Sequence, residues 1–257
     1  MQLKHLSFLL FILFSSILFA QKAEDLLKEG DKLKDSFNDQ GALDKYFKAD
    51  KLAPNNWEIL WRISRSYVDL GAHMPESTSD QKDQQLEVFQ KGLYYGDQAV
   101  KYGPNQSITY IRRAIANGRI ALFKGVFSVG SVVNSVKSDC EKAIQLNNGS
   151  NYTQALAHYV FARTHAKISE KWAPARAVLG LGWADNEIAL KEYQKAVTIF
   201  PNYRMFYLDY ARSLVREDKY SEAKDILNKC ISSAQQEQDD VTRLAEAKQL
   251  LNEIRNK

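Results

Sequence analysis

The stretch IALKEYQKAVTIFPN, residues 188–202, reads as a helix with a fixed ending. Alanine stands at Ala189 and Ala196, an aromatic at Tyr193, and Pro201 comes five residues after the second alanine. GALDKYFKADKLAPN (41–55) repeats the pattern with Ala42, Tyr46, Ala49 and Pro54, and YYGDQAVKYGPN (94–105) repeats its close at Ala99 and Pro104. A fourth copy, CEKAIQLNN (140–148), keeps Ala143 and replaces the proline with Asn148. Proline lacks an N–H and disfavours the helical conformation at the residue before it, so it ends a helix. Recurrent endings of this kind mark an array of helical repeats.

Counting from Ala23, the residues Leu26, Gly30, Leu33, Ala42, Tyr46, Ala49 and Pro54 take positions 4, 8, 11, 20, 24, 27 and 32 of one unit. The small residues let the two helices of a hairpin approach closely, and the aromatic fills the space beside them. This spacing resembles the tetratricopeptide repeat, a helix-turn-helix of about 34 residues. The resemblance implies an all-α, tetratricopeptide-like α-solenoid, a right-handed superhelix of about five hairpins.

The units read as about 23–56, 57–106, 107–150, 151–203 and 204–237, followed by a capping helix over 240–255. In the second unit Leu60, Ile63, Tyr67 and Leu70 are spaced for a helix that Gly71 is expected to stop. A polar insert from Ala72 to about Lys82 is expected to form a loop. The third unit breaks between Gly125 and Gly130 and closes on the turn Asn147-Asn148-Gly149-Ser150. The fourth carries KWAPARAVLGLGWADN (171–186) between its helices, with Asp185 as the N-cap of the second. Leu244, Ala247, Leu251 and Ile254 form the apolar stripe by which the terminal helix would cover the last hairpin.

The layout of these inserts, together with WRISRSYVDL (61–70), CEKAIQLNN ahead of ALAHYVFARTHAKIS (155–169), and SEAKDILNKCI (221–231) ahead of EAKQLL (246–251), resembles the regulator of microtubule dynamics protein family over residues 24–255. The resemblance implies the fold and a non-enzymatic binding scaffold.

At the N-terminus, Lys4 precedes an uncharged run over residues 6–19 and a small residue, Ala20. These are the parts of a secretory signal peptide, expected over residues 1–20 with cleavage near Ala20 and export to a periplasm or the exterior. An uncleaved anchor is the alternative, and it is the only expected route to a membrane. A formal charge of +4 is too mild to argue for a nucleic-acid partner. Two cysteines, Cys140 and Cys230, are too few for a disulfide framework and sit at core positions, so buried thiols are expected.

The inner surface of such an array is lined by the first helix of each hairpin, and arginine collects there. Arg65, Arg163 and Arg212 take the ninth position of their units, Arg62 and Arg112 the sixth, and Arg119 and Arg216 the thirteenth. The first helices of units two to five hold nine arginines against two lysines, whereas lysine dominates the second helices. Arginine's planar fork pairs with carboxylates bidentately, whereas lysine suits a hydrated outer wall. The expected partner is a protein or peptide offering an acidic segment or a C-terminal carboxylate. The same arginines also read as struts between repeats, paired with Asp69, Glu58 or Asp209.

A second candidate is the insert over 172–183, whose Trp172, Leu179, Leu181 and Trp183 either fold back on the repeats or dock a partner in an envelope assembly. Gly180-Leu181-Gly182 lacks the third glycine of a dinucleotide fingerprint. His158 and His165 stand two helical turns apart, unlike a zinc pair, and read as packing residues. The sequence carries no Gly-x-Ser-x-Gly elbow, His-Glu-x-x-His helix or P-loop. No cofactor is expected.

Overall fold

The computed structural model describes residues 21–125 and 130–257, and every regular element among them is helical. The expected signal segment lies outside these residues. In chain order the helices are α1 (21–35), α2 (Asp39–Leu52), α3 (Trp57–Ala72), α4 (Ser79–Tyr102), α5 (Ser107–Lys124), α6 (Gly130–Leu146), α7 (Asn151–Ser169), α8 (Ala173–Val178), α9 (Asn186–Ile199), α10 (Arg204–Arg216), α11 (Tyr220–Ser232) and α12 (Asp240–Glu253). The chain separates into two compact units between Pro104 and Asn105.

In the N-terminal unit α3 pairs with α4 and α2 packs on α3. Tyr46 is fully buried, and a Cβ at Gly30 would strike its ring, so glycine is what lets α1 lie against α2. Ala42, Ala49, Ile59 and Ile63 complete this core. Ser64 donates to the Gly92 carbonyl at 2.7 Å, tying α3 to α4 where glycine permits close approach.

One expectation about this unit is corrected and one is sharpened. Gly71 does not stop α3, which continues to Ala72. Its role is packing: an added Cβ would sit 2.6 Å from the Phe89 ring, and its carbonyl accepts from Gln85 Nε2 at 2.8 Å. The insert does form a loop, over 73–78, and its remaining residues are helical. The Thr78 hydroxyl accepts from the Gln81 N–H at 3.2 Å, and Gln81 Oε1 accepts from the Thr78 N–H at 3.2 Å. This reciprocal capping box ends the loop and starts α4 at Ser79, so the rest of the insert goes into a 24-residue helix.

In the C-terminal unit the hairpins are α5 with α6, α7 with α9, and α10 with α11, and α12 packs on the last of these. Alanines and rings alternate through the core: Ala155, Ala162, Ala189, Ala196 and Ala211 bring the helices close, and Tyr159, Tyr193 and Phe206 fill what remains. Phe206 stacks on Tyr159 with ring centroids 4.6 Å apart. Burying an aromatic or large aliphatic side chain contributes about 1.5–3 kcal/mol, so this core carries most of the unit's stability.

The corners follow from residue chemistry. Asn202, after Pro201, takes φ 65°, and Asn147 and Gly149 take φ 45° and 88° in the turn before α7. Asparagine tolerates the left-handed region better than other side chains, and glycine enters it freely. Asp185 caps α9 by accepting from the Glu187 and Ile188 N–H groups, as its position predicts. Cys140 and Cys230 are buried free thiols. Ala247 of the terminal helix and Ile254 at its C-cap join the main core.

The 172–183 segment folds largely inward. Pro174 and the alanines around it start the short α8, and Gly180 at φ 67° turns the chain back. Leu181 is 0% exposed in a small core with Ala121, Val133, Ile168 and Ala184, and Leu179 and Trp183 pack against it. Trp183 donates to Asn134 Oδ1 at 2.9 Å and meets the His165 ring edge-on. Leu181 is therefore a core residue and not a docking residue. Trp172 and Val178 stay out, 74% and 88% exposed.

Candidate functional site

The seven arginines singled out by register divide into three environments. In the N-terminal unit Arg62 and Arg65 turn onto Asp31 of α1. Arg62 Nε lies 3.0 Å from both carboxylate oxygens, and Arg65 Nη2 donates to Asp31 at 3.2 Å and to the Tyr46 hydroxyl at 2.8 Å. Tyr46 in turn donates to Asp31 at 2.6 Å. Burial works against the Asp31 charge, but Arg62, then Tyr46 and Arg65, hold its carboxyl below the usual range. Here the arginines serve as struts onto Asp31. Asp69 pairs with Lys34 at 3.5 Å, and Glu58 offers Arg62 only its backbone carbonyl.

In the C-terminal unit two more are committed to packing. Arg112 is 8% exposed within α5. Arg216 reaches from α10 to the end of α7, donating to the Ala166 carbonyl at 2.9 Å and to the Ser169 hydroxyl at 3.0 Å. It adds a donor to a carbonyl in the last turn of α7 that already accepts from the Glu170 N–H, and its charge suits that C-terminus. The neighbouring Arg113 forks onto Asp139 at 2.6 and 2.9 Å.

The remaining three, Arg119, Arg163 and Arg212, come together. With Arg243 they line a cleft of about 170 Å³ whose other walls are Met205, Leu208, Asp209, Asp239 and Glu246. The cleft is built by α5, α7, α10 and α12. Its base is Asp209, which accepts from Tyr159 Oη at 2.8 Å and from Arg212 Nη1 at 3.0 Å, with Arg163 Nε at 3.5 Å. Burial pushes the Asp209 carboxyl up, but the Arg163 charge, the Tyr159 hydrogen bond and Arg212 outweigh it and hold the group below the usual range. A charged base fixes two guanidinium groups in place without flexible linkers.

Toward the rim, Arg212 also meets Glu246 at 3.0 Å, and its side chain remains 46% exposed. Arg243 bonds Glu237 and Asp240 at 2.8 Å each. The lining thus holds four guanidinium groups against three carboxylates, with two apolar side chains between them.

Sequence reasoning missed Arg243, because α12 reads as a cover whose polar face carries no register. The periodicity of Leu244, Ala247 and Leu251 does leave Arg243 and Glu246 beside the apolar stripe, and that is the signal present. The histidines are packing residues: His158 Nδ1 lies 2.5 Å from Glu192 Oε2, and His165 Nδ1 accepts from the Asp185 N–H at 3.2 Å. Burial, then the Lys137 charge, holds the His165 imidazole below the usual value. Among the described residues no cluster of His, Cys, Asp or Glu is arranged to hold a metal ion, and no helix is long and apolar enough to cross a membrane.

No curated protein matches the chain. Among solved structures, TTC0263, a thermophilic TPR protein in Thermus thermophilus, superposes with a TM-score of 0.62 at 17% identity, covering 88% of this chain and 99% of that one. MamA gives 0.45 at 18% identity over 84% and 96% of the two chains. YrrB, described as a TPR protein with an unusual peptide-binding site, gives 0.46 at 13% identity over 90% and 97%. The TTC0263 likeness shows the fold to be of tetratricopeptide type. Residues 19–255 match the family described as Regulator of microtubule dynamics protein 1-3, and the chain belongs to that family.

Proposed function

We propose that this chain is a non-enzymatic protein-binding scaffold whose C-terminal unit receives an acidic peptide segment, or a chain's terminal carboxylate, in the cleft of Arg119, Arg163, Arg212 and Arg243. The observation that carries this reading is the convergence of four arginines from four helices on one small cleft. Arginine is suited to the task because its fork pairs with both oxygens of a carboxylate. Met205 and Leu208 supply apolar wall against which the stem of a bound side chain packs. An acidic peptide ending in a free carboxylate and carrying a photo-crosslinker tests it. Crosslinks to α5, α10 and α12 around Arg119, Arg212 and Glu246 support the reading, and crosslinks confined elsewhere sink it.

A second reading is an assembly subunit that docks through the 172–183 segment or the terminal helix. The exposure of Trp172 and Val178 favours it over burial of the whole segment. Light scattering decides between the two. A wild-type oligomer that Trp172→Ala dissolves supports assembly, and a wild-type monomer speaks against it.

The chain is further proposed to be exported after cleavage near Ala20, on the strength of the apolar run over residues 6–19. Lys4-containing peptides in the mature protein would overturn that.

A further inference from the structure

Arg212 joins the floor of the arginine cleft to its rim. Its Nη1 donates to Asp209 at 3.0 Å, and its Nη2 donates to Glu246 of α12 at 3.0 Å. The two acids are held very differently. Asp209 also accepts from Tyr159 Oη and lies beside Arg163, and only 11% of its side chain is exposed. The Glu246 side chain is 44% exposed, and its ion pair with Arg212 spans α10 and α12 at the open edge of the cleft. An ion pair this open to water and salt contributes little, because each charge recovers its hydration when the two part.

The other guanidinium groups of the lining are less accessible. Arg243 is 14% exposed and bonds Glu237 and Asp240 at 2.8 Å each, with Asp239 at 3.4 Å. Arg163 donates to the Tyr159 hydroxyl at 3.2 Å and flanks the buried Asp209. Arg119 is partly buried on α5. A carboxylate arriving from solvent therefore finds, at Arg212 Nη2, a donor whose present acceptor is easily replaced. The exchange does not require α12 to undock. Ala247, the residue after Glu246, is 0% exposed and Ile254 is 4% exposed, so the helix is pinned while the glutamate side chain turns to water. Rotamer changes of exposed side chains are fast.

We infer that Glu246 occupies the place of the ligand's carboxylate and, as a built-in competitor, sets the cleft's threshold for acidic ligands. This rests on the cleft reading proposed above and refines it: the incoming carboxylate takes Arg212 Nη2, Glu246 swings outward, and Asp209 stays. A ligand thus trades one ion pair at Arg212 for another. Its net gain comes from the further charge and apolar contact it brings to Arg119, Met205 and Leu208, which line the same cleft.

Calorimetry of the full chain with an acetylated acidic pentapeptide bearing a free C-terminus tests this in the wild type, Glu246→Gln and Glu253→Gln. Glu253 lies two turns further along α12, so its substitution makes the same change in net charge away from Arg212. Glu246→Gln should bind about fivefold more tightly than the wild type, and Glu253→Gln should stay within about twofold of it. Binding seen in Glu246→Gln alone also supports the inference. Wild-type binding that Glu246→Gln leaves unchanged or weakens, or that Glu253→Gln strengthens equally, overturns it and leaves the cleft reading standing. Binding by neither the wild type nor Glu246→Gln overturns the cleft reading and this inference with it.

Discussion

Tyr159 donates its hydroxyl to the buried carboxylate of Asp209 at 2.8 Å, and through that bond α7 and α10 share one charge. Arg163 donates to the same hydroxyl at 3.2 Å, so the tyrosine is held from both sides. The Asp31 group of the N-terminal unit repeats the chemistry with Tyr46, Arg62 and Arg65. Each joins neighbouring helices through a tyrosine, an acid and two arginines. Asp209→Ala removes the acid and leaves a buried hydroxyl and two guanidinium groups to find other partners. The expected loss is about 2–3 kcal/mol, toward the low side for a buried pair because Arg212 is partly solvated. Urea unfolding of the two chains measures it.

The same carboxylate gives stability a pH dependence of known sign. Its folded value lies below the unfolded value of about 3.9, so as pH falls the unfolded chain takes up the proton first. Its contribution is complete above that unfolded value and is lost as pH falls through the folded one. Urea midpoints taken between about pH 6 and pH 2.5 should decline below about pH 4 in the wild type. Asp209→Asn should show a smaller decline, with Asp31 supplying part of what remains.

Two glycines in neighbouring roles should respond with opposite signs. A methyl at Gly71 would meet the Phe89 ring at 2.6 Å, so Gly71→Ala is expected to cost about 1–3 kcal/mol by overpacking. At Gly118, inside α5, an added Cβ meets nothing within 4 Å. Gly118→Ala should stabilise by about 0.5–1 kcal/mol, because alanine loses less backbone freedom on entering a helix. Thermal melts of the two variants separate the cases.

The 172–183 segment should split in the same manner. Leu181→Ala empties a fully buried site and is expected to cost about 2–4 kcal/mol. Trp172→Ala alters an exposed ring and should leave stability within about 0.5 kcal/mol. Equal effects from the two would show that the segment is not anchored as described.

What was legible in the sequence was local. The helix endings at Pro54, Pro104 and Pro201, the turn at Asn147 to Ser150 and the cap at Asp185 depend on residues within a few positions, and the hairpin boundaries followed from them. Register placed the arginines on the first helices and Asp209 was among the acids expected to pair with them, yet Asp31 was not. Asp31 and Arg62 are 31 residues apart, and which carboxylate a guanidinium finds depends on how whole helices cross. The inserts were legible only in outline. Polar composition after Ala72 marks the loop over 73–78 but not its end, which the mutual capping of Thr78 and Gln81 sets, and the apolar residues of 172–183 do not announce which of them turn inward. Arg243 escaped notice because a terminal helix carries no repeat register of its own.

The arginine cleft is tested most directly by the affinity of the chain for an acidic peptide with a free C-terminus, compared with an Arg119→Ala/Arg212→Ala double variant. Neither substitution touches the fully buried core, and Arg163 stays in place to hold Asp209. Calorimetry at low and moderate salt, with unfolding midpoints taken on the same samples, gives both numbers needed. The wild type should bind at least tenfold more tightly than the folded double variant and should weaken as salt rises. Equal affinity in the two folded chains, or binding indifferent to salt, would contradict the cleft as the peptide site.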